Sequence, residues 1–220
     1  MKIRGLIFDF DGLILDTETP DLNAWLDVYK KYKQAFDFNS YARSIGSIYD
    51  YKKPAEYLAQ VVDNVSLEQV LDEWVVLEKK NLERQVLSPG VKEILKDARK
   101  LDLRISIASS AMQNWVVSHL NKHQIRDYFN TINTVDMVRY PKPDPALYHL
   151  ALESINLNPD EVIAFEDSPN GIKAAKAAGI YCIAIPNQTT IHLNLNAADK
   201  VFYSLSEIKL ADLIEQLQTL

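Results

Sequence analysis

Cysteine occurs once in the 220 residues, at Cys182 within the apolar run YCIAI. A single thiol excludes an intrachain disulfide framework and fits a reducing compartment. Basic residues neither dominate nor cluster: 24 lysines and arginines stand against 30 acids, for a net charge of -6. That balance leaves no electrostatic footprint for nucleic acid or a membrane surface. No window is apolar enough to span a bilayer, and the opening MKIRGLIFDFDG has its apolar stretch broken by acids, without a signal-peptide cleavage pattern. Repeats and low-complexity tracts are absent. These absences predict a cytoplasmic protein without nucleic-acid or membrane partners. Its oligomeric state stays open, with a monomer compatible. The 47% hydrophobic content is enough to fill a core that folds alone.

Residues 3–8, 103–108, 161–166 and 180–185 are apolar runs without polar alternation, the pattern of strands buried on both faces of a parallel sheet. Helical spacing falls between them, as in Val91, Ile94, Leu95, Ala98 and Leu101, and in Ala174, Ala175 and Ala178 before a capping Gly179. A short strand at 199–203 and a helix at about 206–217 complete the alternation. The expected fold class is α/β, a doubly wound parallel sheet. Residues 17–87 break that rhythm with helical patterns alone. One is SLEQVLDEWVVLEKKNLE, where Ser66 and Gln69 form a candidate capping box. Of six glycines, Gly46 alone lies in this segment, and SPG at 88–90 resembles a re-entry turn. The expected organisation is a core of 1–16 and 88–220 with an inserted α-helical cap at 17–87.

Ligands of open parallel sheets bind beyond the carboxyl ends of the strands. Just past the apolar runs lie Asp9, Asp11 and Gly12, then Ser109 and Ser110, then Glu166, Asp167 and Ser168; Lys142 sits between prolines in YPKPDP. Carboxylates from two strand ends can hold Mg²⁺, a hard cation that takes oxygen ligands. With a lysine and a serine hydroxyl they form a cradle for a phosphoryl group. One aspartate could attack phosphorus, and a second, two residues on, could serve the leaving oxygen as acid and the acceptor as base.

DFDGLILDT, the serine in IASS, the lysine in YPKPDP and the acids in FEDSPNGI resemble, in order, the four motifs of the haloacid dehalogenase superfamily. The helical insert resembles its C1-capped members, the beta-phosphoglucomutase-like and phosphatase branch. The resemblance implies Asp9 as nucleophile and Asp11 as general acid/base. It implies phosphate binding by Ser109, Ser110 and Lys142, and Mg²⁺ held by Asp9, the Asp11 carbonyl, Asp167 and Glu166. The implied reaction is Mg²⁺-dependent hydrolysis of a small phosphorylated metabolite, a sugar or polyol phosphate, through an aspartyl-phosphate.

Two alternatives remain open: a sugar phosphomutase and a non-catalytic phosphate-binding module. The mutase branch carries a histidine four residues after its motif threonine, where this chain has Asp21; Glu18 after Thr17 is more like the phosphatases. The loop around Arg43 and Gly46 is the expected specificity segment. Trp25, Trp74 and Trp115 are expected to pack, with Trp25 the one that could reach the site. His119 and His123 read as a surface pair rather than a zinc site, having no accompanying HExxH glutamate.

Overall fold

The computed structural model describes residues 2–48 and 50–218. In chain order its regular elements are β1 (Gly5–Phe8), α1 (Glu18–Lys31), α2 (Phe38–Ala42), α3 (Lys52–Val61), α4 (Leu67–Leu82), α5 (Val91–Lys100), β2 (Arg104–Ser109), α6 (Gln113–Lys122), β3 (Thr131–Thr134), α7 (Ala146–Ile155), β4 (Val162–Glu166), α8 (Pro169–Ala177), β5 (Tyr181–Ala184), β6 (Lys200–Val201) and α9 (Leu210–Gln218). The strands form one parallel sheet in the order β3-β2-β1-β4-β5-β6. This is the α/β fold with flanking helices that the apolar runs predict. Because β1 and β4 lie centrally, the strand ends carrying Asp9 and Glu166 are neighbours.

Alternate side chains serve opposite faces of the sheet. Leu6, Phe8, Ile105, Ile107, Ile163, Phe165 and Ile183 pack with residues of α5, α6 and α9. Ile7, Ala108, Val162, Ala164, Cys182 and Ala184 pack with α7 and α8. Register fixes the level of the site: Phe8 lies opposite Ile107 on one side and Phe165 on the other, so β1, β2 and β4 end together. The buried Cys182 occupies the strand interior expected of it.

The third strand, Thr131–Thr134, has no apolar run to announce it. Its sequence is TINT. Its buried amide is satisfied: Asn133 Nδ2 donates to Ser106 Oγ (2.9 Å) and to the Ile107 carbonyl (3.0 Å), and Ser106 and Thr131 hydroxyls lie 2.7 Å apart. The C-terminal helix starts later than expected, at Leu210, because a 3-10 turn at Leu205–Glu207 precedes it.

Helices α1, α3 and α4 pack around a separate apolar cluster with Trp25, Val28, Leu58, Val70 and Trp74, away from the sheet. Trp25 is wholly buried there and stacks on Trp74 at 5.1 Å. Burial of such a ring contributes roughly 2–3 kcal/mol, enough to organise a small helical layer. Ser66 caps α4 by accepting from the Gln69 amide (3.1 Å), but the Gln69 side chain turns to Tyr32 and Glu73, so the capping box is half formed. The two connections to the sheet layer run side by side, joined by a bridge between Leu15 and Leu87 and by Ser88 N donating to the Ile14 carbonyl (3.0 Å).

Candidate active site

At the end of β1 the chain leaves the sheet with Asp9 buried at 4% exposure, and the ammonium of Lys142 meets it. Lys142 Nζ donates to Asp9 Oδ1 at 2.6 Å and to Glu166 Oε1 at 2.5 Å, with no exposure of its own. A lysine in such surroundings needs both partners, because desolvation disfavours its charge. Burial alone would lower its pKa; the charges of Asp9 and Glu166 outweigh that and hold it protonated. Tyr148 of α7 donates to the same Glu166 oxygen at 2.7 Å. The other Glu166 oxygen accepts from the Asp167 amide (3.2 Å) and the Ser168 hydroxyl (3.3 Å). Both Glu166 oxygens are thus engaged by protein donors. Gly171 makes this possible, since a Cβ there would overlap the Glu166 carboxylate.

Asp11 lies half-buried two residues on, and two side chains donate to its Oδ1: Thr17 Oγ1 at 2.8 Å and Trp115 Nε1 at 2.9 Å. Burial raises its pKa, while the Trp115 and Thr17 donors oppose the rise. Ser109, buried at the end of β2, accepts from the Ala111 amide at 3.0 Å and borders the same cavity. The neighbouring Ser110 also lines this cavity, and its hydroxyl donates to the Gly46 carbonyl at 3.1 Å, joining the helical layer to the sheet layer.

Asp167 completes the acidic end. Its Oδ2 accepts from Asn187 Nδ2 at 2.8 Å, and the same amide donates to the Gly12 carbonyl at 3.1 Å. Gly12 has a φ of +81, and a Cβ there would collide with Asp167, so glycine is required. Oxygens of Asp9, Glu166 and Asp167 lie within 4.8 Å of one another, and Asp167 Oδ1 is buried without a hydrogen-bond partner. Three buried carboxylates face one ammonium. Burial, followed by Glu166, pushes Asp9 up to about 8 against the pull of Lys142; burial, then Asp9 and Glu166, raise Asp167 well above its ordinary value. An all-oxygen donor set with an orphaned carboxylate oxygen and excess negative charge fits a hard divalent cation such as Mg²⁺.

Asp9 and Asp11 open into a cavity of about 260 Å³ whose lining also includes Ser109, Trp115, Gly46, Glu18, Asp21, Tyr51, Trp74 and Glu78, while Lys142, Glu166 and Asp167 are not among its lining residues. A larger cavity, about 740 Å³, lies beside the two connections and contains none of Asp9, Asp11, Lys142 or Asp167. Of the two, the smaller is the one lined by Asp9 and Asp11. Gly46 lines it, but Arg43 is exposed and outside it; its backbone carbonyl is engaged by Asn170 Nδ2 at 2.9 Å. The tryptophans also divide differently from expectation. Trp25 is core, whereas Trp74 and Trp115 present their indole N–H groups to Asp21 and Asp11. His119 and His123 are half-buried rather than on the surface, and His119 packs against Trp115 with ring centroids 4.3 Å apart. Among the described residues neither belongs to a metal-ligating cluster.

A doubly wound sheet with four polar segments converging beyond its strand ends is the architecture of one group of enzymes, and the comparisons agree. Residues 6–185 match the family model described as haloacid dehalogenase-like hydrolase. The chain belongs to that family and is an enzyme of it. It is 36% identical over 99% of both chains to "Putative phosphatase YhcW" of Bacillus subtilis (strain 168). It is 31% identical to the "Phosphorylated carbohydrates phosphatase" of Thermotoga maritima, over 81% of this chain and 82% of that one. The crystal structure of CbbY from Rhodobacter sphaeroides in complex with phosphate superimposes with a TM-score of 0.72 at 25% identity, covering 95% of this chain and 98% of that one. No helix among the described residues is long and apolar enough to cross a membrane.

Proposed function

We propose that this hydrolase is a phosphatase of a small phosphorylated carbohydrate, with Mg²⁺ as cofactor and Asp9 as nucleophile. The observation that carries the reading is the contact of Lys142 Nζ with Asp9 Oδ1 at 2.6 Å, beside Asp11 and within reach of a buried carboxylate cluster. A fixed ammonium beside an attacking carboxylate places positive charge where the phosphoryl oxygens gather it in the transition state. The names of the relatives support the substrate class.

In this reading Asp9 attacks phosphorus, forming an acyl phosphate as the P–O bond to the alcohol breaks. Asp11 delivers a proton to the departing oxygen, then takes one from the water that cleaves the aspartyl-phosphate. Thr17 and Trp115 both hold one Asp11 oxygen, which leaves Oδ2 to handle the proton. Lys142 and Ser109 bind the transferring group. Asp9, the Asp11 carbonyl and Asp167 would hold Mg²⁺, with Glu166 fixing Lys142 and the Asp167 backbone from behind. When bound, the cation supplies neutralising charge to the phosphoryl oxygens and to the crowded carboxylates. Residues 17–87 act as the cap, excluding bulk water while the site is occupied.

The test is phosphate release from sugar and polyol phosphates with and without Mg²⁺, alongside Asp9→Asn and Asp167→Asn. Release that needs the metal, vanishes in Asp9→Asn and needs far more Mg²⁺ in Asp167→Asn is expected. Retained turnover in Asp9→Asn removes it as nucleophile, and unchanged metal dependence in Asp167→Asn moves the metal site elsewhere.

A further inference from the structure

Opposite the phosphoryl end, the cavity is walled by acceptors. Glu18, Asp21 and Glu78 line its cap side, and none of the described lining residues is a lysine, arginine or histidine. The basic side chains nearest in sequence to the Gly46 loop, Arg43, Lys52 and Lys53, are exposed and line no part of it.

Asp21 is held in place from behind. Trp74 Nε1 donates to its Oδ1 at 2.9 Å and Tyr41 OH to its Oδ2 at 2.8 Å. Trp74 is itself clamped, stacked between Trp25 at 5.1 Å and Tyr51 at 5.5 Å. Each Asp21 oxygen therefore keeps accepting capacity toward the cavity at a fixed position. Glu78, on the next turn of α4, has no hydrogen-bond partner among the described residues and points its unmet acceptors into the same space. Tyr41 OH also lies 3.4 Å from Glu18 Oε2. Such a wall complements donors and repels anions.

We infer that the part of the substrate beyond its phosphate is a donor-bearing body without a second anion, its hydroxyls or ammonium received by Asp21 and Glu78. The same two residues reject a second phosphate or a carboxylate. This rests on the reading of Asp9 and Lys142 as the phosphoryl end. The first phosphate meets Lys142, Ser109 and a cation; a second would meet carboxylates with no counter-charge, a juxtaposition that suppresses wrong ligands. The wall thus also opposes the bisphosphate intermediate that a sugar phosphomutase must hold.

The experiment uses the full chain with Mg²⁺ and compares kcat/KM for glycerol 3-phosphate and a hexitol phosphate, phosphoethanolamine, and phosphoglycolate and fructose 1,6-bisphosphate. Binding of each compound to Asp9→Asn protein is read in parallel from indole fluorescence, since Trp74 and Trp115 border the cavity. The donor-bearing compounds should exceed the doubly anionic ones by about tenfold or more, and the ratio should shrink several-fold in Glu78→Gln and Asp21→Asn. Glu78→Gln breaks no hydrogen bond, so it remains informative if Asp21→Asn folds poorly. The hydroxyl and ammonium arms identify which donor the wall receives. Turnover with equal or reversed preference overturns the inference and leaves the phosphatase standing. No turnover on any compound, with the preference intact in binding, overturns the phosphatase and supports the acceptor wall.

Discussion

Trp115 donates its indole N–H to the Asp11 carboxylate at 2.9 Å across 104 residues of sequence, sharing that oxygen with the Thr17 hydroxyl. For the proton transfer proposed for Asp11, this pair of donors would fix one carboxylate oxygen. Trp115→Phe keeps the ring and deletes one donor. It should lower kcat by about tenfold, the worth of a hydrogen bond to a charged group. The loss should be greater for poor alcohol leaving groups than for activated aryl phosphates, with little change in Mg²⁺ dependence. Equal losses on both substrate classes would show that the indole only packs.

Among the described residues Lys142 is the sole ammonium against Asp9 and Glu166, and it is fully buried. Lys142→Met matches its length but leaves two carboxylates unpaired in the interior. Folding stability at pH 7 should fall by about 3–5 kcal/mol, as expected when one partner of a buried pair is removed. Denaturant unfolding of the metal-free protein measures it.

Gly46 has a φ of +76, and a Cβ there would overlap the Ser168 hydroxyl at the start of α8. Its carbonyl also receives the Ser110 hydroxyl. Gly46→Ala should therefore push the cap loop off the sheet layer at the Ser168 hydroxyl, which also donates to Glu166. A fall in kcat/KM of about tenfold, with a melting temperature within a few degrees of wild type, is expected from kinetics and thermal melts, because misplacement alone costs this much in catalysis.

Burial, and after it the charge of Asp21, raise the Glu78 pKa from 4.5 to about 7; Asp21 itself is raised to about 6, by burial. A carboxyl whose pKa is higher folded than unfolded holds a proton that the unfolded chain has already lost. Its contribution is therefore present below the unfolded pKa and disappears as pH climbs through the folded one. Glu78→Gln removes that dependence. The variant's melting temperature relative to wild type should rise between pH 4 and pH 8. After allowance for solvent screening the gain is roughly 2–4 °C, corresponding to about 1 kcal/mol. A difference independent of pH would mean that Glu78 is not desolvated.

Much of this was legible in the sequence, for reasons that also explain what was not. Strands β1, β2, β4 and β5 are covered on both faces, so continuous apolar residues announce them. Strand β3 packs through Asn133, Ser106 and Thr131, and its polar letters conceal it. Asp9, Asp11, Ser109, Lys142 and Asp167 sit next to strand ends or a turn of recognisable composition, so chain position alone nominates them. Asn187 lies three residues past the end of β5, and a search beyond strand ends for amides as well as charges would have found it. Trp115, Asp21 and Glu78 reach the site from helix faces, where an aromatic or an acid reads as packing or as solvated surface. Of the loop expected to set specificity, Gly46 lines the cavity while Arg43 is exposed and engages Asn170 through its backbone carbonyl.

The bridge between Leu15 and Leu87 has a consequence for how the molecule is assembled. The chain departs from the α/β layer and returns to it at touching points, so the length and shape of the intervening helices place no demand on strand order or register. In topological terms the helical segment is a pendant loop whose closure is already met by its own ends. The sheet has only to bring together β1 and β2, as it would if a short turn joined them. The cavity-lining residues of α1 and α4 can then vary while the carboxylate cluster stays on an unaltered scaffold.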